Sequence, residues 1–267
     1  MPQRYDNYPR IAVVTGADSG IGKACAVALA EAGFAIGITW YGDRAGAERT
    51  ATEIRGTGGR CEAAEMDLTR LPDAAAVIDK LADRLGGLGV LVNNAGTGLA
   101  APFVDVTWRQ WRDVLAVDLD GPFVCSQRAA RRMRTAGRGG RIINVTSVHE
   151  HAPRVGASAY CAAKGGLGLL TKVMAQELAA DGITVNAVAP GEISTPMTGQ
   201  EDVDPFTQER SGVPVGRPGD AREVAAVVTL LASPAAAYVT GASWPVDGGM
   251  LLMGPQASTL PSSWRFR

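Results

Sequence analysis

Short apolar runs alternate along this chain with longer stretches whose apolar positions recur every three or four residues. The runs at 11–15, 34–39, 60–66, 88–92, 141–146 and 183–188 have the length and continuity of strands buried on both faces. A seventh strand is expected at 238–244. An Ala-rich stretch running to Gly33 and stretches at about 45–56, 72–85, 108–135, 158–181 and 220–232 read as helices. In the stretch 108–135 Trp111, Leu115, Leu119 and Phe123 fall at roughly helical spacing and are expected in the core. Residues 197–217 are polar and broken by Gly and Pro, which fits either a lid over a site or a surface loop. Strand following helix throughout predicts an α/β fold, a single-domain doubly wound parallel sheet of about seven strands with helices on both faces. No repeat or composition shift divides it, so 1–10 is expected as a loose polar lead-in, 11–250 as one domain and 251–267 as a tail.

Charge and cysteine usage narrow the function classes. The chain has 267 residues, with 26 Lys+Arg against 27 Asp+Glu. A near-neutral balance speaks against a nucleic-acid or polyanion binder. The basic run Arg128, Arg131, Arg132 and Arg134 lies on a helical pattern and reads as a solvated face. Cys25, Cys61, Cys125 and Cys161 form no CxxC pair and cluster with no His, so no metal site is expected; buried thiols in a reducing cytoplasm fit best. No apolar run approaches 18 residues and residues 1–10 carry no signal region, so neither a membrane span nor export is expected.

Two stretches carry candidate chemistry. Strand 11–15 runs into Gly16-Ala17-Asp18-Ser19-Gly20-Ile21-Gly22 and then a helix. Glycines there let the backbone approach a pyrophosphate, and a helix N-terminus supplies free N–H groups and positive potential. The spacing is Gly-x-x-x-Gly-x-Gly rather than Gly-x-Gly-x-x-Gly. Beyond strand 34–39 the chain reads Trp40-Tyr41-Gly42-Asp43-Arg44, with no carboxylate at the strand tip. Arg44 is either a clamp for a ribose 2′-phosphate, which favours NADP over NAD, or an exposed residue opening a helix. The second stretch follows strand 141–146: Ser147, then Tyr160 and Lys164 four apart on one helix face. A free phenol has a pKa of about 10; a nearby ammonium and the helix N-terminus both favour phenolate, giving an acid/base device for work near neutrality.

Thr15-Gly16-x-x-x-Gly20-x-Gly22, Asp67, Asn93-Asn94-Ala95-Gly96, Ser147, Tyr160-x-x-x-Lys164 and Pro190-Gly191 follow one another as in the short-chain dehydrogenases/reductases. The Tyr160–Ser147 separation of 160 − 147 = 13 is also the one usual there. The resemblance spans roughly 10–250 and implies a Rossmann-type fold, an NAD(P)-dependent hydride transfer and a homotetramer paired through helices 108–135 and 158–181. By the same resemblance Tyr160 is the acid/base, Lys164 lowers its pKa and holds the nicotinamide ribose, and Ser147 orients the substrate oxygen. Gly16, Asp18, Ser19, Gly20, Ile21 and Gly22 are expected around the pyrophosphate, with Tyr41 and Arg44 by the ribose. Asp67 and Leu68 are expected by the adenine, Asn94, Ala95 and Gly96 along the cleft, and Pro190, Gly191, Ile193 and Thr195 by the nicotinamide carboxamide. One departure concerns the usual Val-Asn-Leu-x-Gly, whose Asn supports a water relay to the lysine; here it reads Val117-Asp118-Leu119-Asp120-Gly121. Asp118 lacks the amide donors of Asn; activity is expected to persist.

Ser147-Val148-His149-Glu150 and Val246-Asp247-Gly248-Gly249-Met250 resemble glucose 1-dehydrogenases, which places His149 and Glu150 as candidate contacts for substrate hydroxyls. Against glucose itself, Gly98 stands where those enzymes carry Glu. The expected substrate is a secondary alcohol or ketone, sugar-like or otherwise. A 3-oxoacyl thioester is the alternative, with the basic run as carrier-docking surface, and a non-catalytic nucleotide-binding protein is the alternative from another class.

Overall fold

The structure, a computed structural model, describes residues 7–200 and 203–253. Seven parallel strands form one sheet: β1 (Ile11–Val14), β2 (Ala35–Trp40), β3 (Cys61–Glu65), β4 (Val90–Asn93), β5 (Gly140–Val145), β6 (Ile183–Pro190) and β7 (Ser243–Val246). Their order is β3-β2-β1-β4-β5-β6-β7. The helices are α1 (Gly20–Glu31), α2 (Arg44–Gly56), α3 (Ala76–Leu85), α4 (Trp108–Leu115), α5 (Gly121–Ala136), α6 (Ser158–Leu178) and α7 (Ala221–Ala232).

The central strands are largely apolar because both faces are covered, with Asn93, Arg141, Asn144 and Asn186 as buried polar exceptions. Alternate residues feed opposite cores: Val14, Val92 and Ile143 pack with Leu29, Val228 and Leu231 on one side, Val13, Leu91 and Ile142 with Leu81 and Met133 on the other. The chain order reverses between β1 and β4, so the loops leaving those two strands diverge and open a crevice at their carboxyl ends.

Three details differ from the sequence reading. Helix 108–135 is two helices joined by a π-turn at Ala116–Asp120. The wide turn points Asp118 inward, while Trp111, Leu115 and Leu119 are only half-buried and Phe123 is exposed. Those four are therefore not core; Val114, Cys125, Ala129 and Met133 take that place. The last strand starts at Ser243, not at 238, because Asn186 grips the preceding turn: its amide donates to Val239 O and accepts from Ala242 N. Finally, the lead-in is packed from Tyr8 onward, with the Tyr8 ring buried and its hydroxyl donating to Ala232 O. The tail expected at 251–267 lies outside the described residues from 254 on.

Three of the four cysteines are buried, and burial pushes the thiols of Cys25 and Cys125 up to about 12 and that of Cys61 up to about 11. Thiols held so far from ionisation act as small apolar groups; Cys161 is half-buried.

Candidate active site

The crevice is built from the glycine turn upward. Asn94 donates its side-chain amide to the carbonyls of Thr15 and Gly16 at 2.9 and 2.8 Å. The Thr15 hydroxyl accepts from the backbone N–H of Asn94 and Ala95. The turn after β1 and the loop after β4 are thus one unit, and Asn94 is spent on holding it. A Cβ on Gly22 would sit 2.1 Å from Gly16 O, and one on Gly16 would sit 2.8 Å from the Cα of Ala95, so both positions need glycine. The turn leads into the N-terminus of α1, whose N-cap Ser19 makes no side-chain cap bond. The first N–H groups of the helix are left for a ligand, which fits the pyrophosphate of a dinucleotide. Thr195, at the end of the loop leaving β6, lies against Gly20, and Ile193 beside it is buried. Pro190 ends β6, and Gly191 packs against Asp247 so closely that a Cβ would meet it at 2.9 Å.

Beyond the carboxyl ends of β2 and β3 the picture is mixed. Asp67 and the buried Leu68 follow β3; the Asp67 carboxylate accepts from the Thr69 N–H and hydroxyl. Tyr41 is exposed. Arg44 is exposed and bonded to Glu48 at 2.8 Å. Asp43 caps α2 by accepting from Gly46 N and also meets Arg49. Asp18 sits near it; burial first, and the Asp43 charge in addition, raise the Asp18 carboxyl above its ordinary value.

Ser147, Tyr160 and Lys164 come together where β5 hands over to α6. Ser147 is extended and buried, and its oxygen accepts from His149 N at 3.1 Å. That bond fixes the hydroxyl and leaves its proton free for a substrate oxygen. Lys164 is 3 % exposed, donates to Val145 O at 3.1 Å, and holds its Nζ 5.5 Å from the centre of the Tyr160 ring. The four-residue spacing thus sets the lysine beside the phenol on one face of α6.

Asp118 joins them. It is fully buried; Oδ1 accepts from Thr97 N at 2.8 Å and Oδ2 has no partner among the described residues. The Cβ position above Gly96 is 3.1 Å from Asp118 Oδ1 and 3.6 Å from Lys164 Nζ, so carboxylate and ammonium flank one point. Burial holds the Asp118 carboxyl above the ordinary carboxylate range, against the opposing pull of Lys164 and of the Thr97 N–H.

The substrate candidates separate. His149 stands edge-on to Tyr160, ring centres 6.2 Å apart. Gly98 has open space around it. Glu150 turns away: its carboxylate is buried, accepts from Ser243, pairs with His151 at 2.8 Å and packs against Gly168 of α6. It is a strut between the loop, α6 and β7 rather than a substrate contact. Sequence reasoning also passed over a buried amide chain. Asn93 donates to Ser126 and Asn144, and Asn144 donates to Thr171, which ties β4 and β5 to α5 and α6 beneath the site. Asn inside two strands of apolar residues was the signal available.

Comparison with known proteins agrees with this geometry. A family model described as enoyl-(acyl carrier protein) reductase matches residues 16–251. The oxidoreductase YohF of Escherichia coli (strain K12) is 52% identical over 247 residues, covering 92% of this chain and 98% of that protein. A 3-oxoacyl-[acyl-carrier-protein] reductase of Synechocystis sp. is 38% identical over 244 residues, covering 91% and 97%. The crystal structure of acetoin dehydrogenase YohF from Salmonella typhimurium superposes with a TM-score of 0.87 at 50% identity, covering 93% and 98%. Sheet order, glycine turn and the Ser147–Tyr160–Lys164 cluster therefore have a common explanation: the chain belongs to the short-chain dehydrogenase/reductase family and is an NAD(P)-dependent oxidoreductase.

Proposed function

We propose that this enzyme interconverts a small uncharged secondary alcohol and its ketone, with Tyr160 moving the proton at the substrate oxygen. The convergence of Ser147, Tyr160 and the buried Lys164 carries this reading. The nicotinamide supplies or takes the hydride. Ser147 holds the substrate oxygen, Tyr160 exchanges its proton with it, and Lys164 stabilises the phenolate left in the reducing direction. Asp118 fills the relay position of the usual Asn and offers Lys164 a carboxylate in place of an amide.

The mouth supports a small, weakly polar substrate. Ala101 N donates to Gly156 O, which ties the loop after β4 to the loop after β5. These loops and the one after β6 expose Phe103, Val104, Val155 and Met197. Gly98 brings no carboxylate for sugar hydroxyls. The solved relative named as an acetoin dehydrogenase supports the same class. The 3-oxoacyl alternative is weakened, since Arg128 and Arg132 pair with Asp79 and Arg134 with Asp181, leaving little free charge for an acidic carrier. For the nucleotide, the proposal keeps NADP(H) ahead of NAD(H): the Arg44–Glu48 pair is exposed, worth about 0–1 kcal/mol, and yields readily to a 2′-phosphate. Asp18 and Asp43 are the opposing charges.

Titrating NADPH and NADH against tryptophan fluorescence, then assaying butan-2-one, 3-hydroxybutan-2-one, hexoses, polyols and a short 3-oxoacyl thioester, tests the whole. Turnover of the small ketones with none of the thioester is expected; nucleotide binding without turnover anywhere would revive a non-catalytic role. Tighter NADH binding would move control of the ribose to Asp18 and Asp43.

Phe123 on α5 and Leu169 and Val173 on α6 form exposed apolar positions on the two helices expected to pair. A homotetramer covers them, and light scattering at micromolar concentration should return four chain masses; a single chain mass would refute it.

A further inference from the structure

His149 lies two residues beyond Ser147, and its ring is held in one orientation. Its Nδ1 is 3.0 Å from the carbonyl oxygen of Ala152. A carbonyl oxygen only accepts, so Nδ1 carries the proton and donates. In the neutral imidazole that leaves Nε2 as a bare lone pair, an acceptor only. Nε2 has no protein partner among the described residues, and the ring stands edge-on to Tyr160 at 6.2 Å between centres. Backbone geometry has thus chosen the tautomer, and the tautomer chooses what the ring can recognise.

We infer that His149 Nε2 is a specificity-determining acceptor for a second oxygen of the substrate, one that bears a proton, so that the preferred substrates are vicinal hydroxy ketones and diols rather than plain ketones or α-diketones. The inference rests on the dehydrogenase reading above. While Ser147 and Tyr160 hold the reacting oxygen, His149 takes the hydrogen of a hydroxyl on the neighbouring carbon. A plain ketone offers nothing there. A diketone offers a second acceptor, which faces the lone pair and is repelled.

Two substitutions separate recognition from loop structure. In His149→Asn the shorter amide can still donate to Ala152 O, but nothing reaches the Nε2 position. In His149→Gln the longer amide reaches that position with either its oxygen or its N–H₂, and the loop bond is lost. Initial rates of NAD(P)H oxidation would give kcat/KM for 3-hydroxybutan-2-one, butan-2-one and butane-2,3-dione. Variant-to-parent ratios cancel the intrinsic reactivity of each compound. His149→Asn should lower the hydroxy ketone/plain ketone preference about tenfold, the value of one well-made hydrogen bond. His149→Gln should keep that preference and raise the relative rate on the diketone, since an amide can turn its donor toward a carbonyl. An unchanged preference in His149→Asn, or equal losses on all three substrates in both variants, would overturn the assignment and leave the enzyme a dehydrogenase. A parent protein that turns over none of the three, nor any ketone of the wider panel, overturns both readings.

Discussion

Tyr160→Phe should lower kcat by about a thousandfold while NAD(P)H binds within about threefold of the parent, because only the phenolic hydroxyl is removed. The ring keeps its edge-on contact with His149 and its place beside Lys164 Nζ. Ser147 keeps its bond from His149 N, and the glycine turn is tied by Asn94 and Thr15, neither of which touches Tyr160. What disappears is the group proposed to exchange a proton with the substrate oxygen as hydride moves. Loss of general acid/base catalysis is worth 10²–10⁴ in rate. The decisive comparison is kcat on a small ketone beside a fluorescence titration of the nucleotide on the same preparation. A residual kcat above about one tenth of the parent's would mean that another group, with Ser147 the nearest, supplies the proton. Weakened nucleotide binding to the same extent as kcat would instead mean that the phenol was holding the cofactor.

The sheet and the clustering of Ser147, Tyr160 and Lys164 were legible in the sequence for one reason: each is local. A parallel strand buried on both faces must be largely apolar, so β1, β4, β5 and β6 announce themselves in four to eight letters despite an occasional buried polar residue. Tyr160 and Lys164 lie one turn apart on a single helix, and Ser147 ends the strand before it. What was not legible depends on partners distant in the chain. The face presented by Trp111 and Phe123 was assigned to the core because a helical stripe looks the same in sequence whether it faces the sheet or away from it. A π-turn at Ala116–Asp120 shifts the phase, and no propensity marks it. Glu150 looked like a substrate contact from its place after Ser147; only the fold reveals that Ser243, 93 residues on, claims it. The start of β7 was misplaced because Asn186, a residue inside β6, holds the turn before it by side-chain bonds.

Lys164→Met should abolish turnover and also destabilise the fold at neutral pH by roughly 1–3 kcal/mol, the cost of leaving a buried polar group uncompensated. Asp118 is fully buried, with one oxygen on Thr97 N and the other unpartnered; Lys164 is the cation whose charge opposes its burial. Without that ammonium the carboxylate is a buried charge with no counter-ion, and it will protonate to escape. The sign with pH follows from the direction of the shift. Asp118 already titrates above the ordinary carboxylate range in the native protein, and losing Lys164 pushes it higher still. A carboxyl raised on folding favours the native state in acid, and that contribution is lost as pH rises through its native pKa. The deficit of Lys164→Met relative to the parent should therefore be smallest in acid and grow toward neutrality. Adding Asp118→Asn removes the stranded charge: the double variant should recover at least half of the neutral-pH loss, show no growth of the deficit with pH, and remain inactive. Urea unfolding of parent, single and double variants at about pH 5 and about pH 8, read as midpoints at constant slope, decides it. Equal deficits at both pH values in both variants would show that Lys164 stabilises the fold only through its bond to Val145 O and its packing. Asp118 would then be no electrostatic partner of the catalytic lysine, and the carboxylate in the relay would be an isosteric stand-in for Asn.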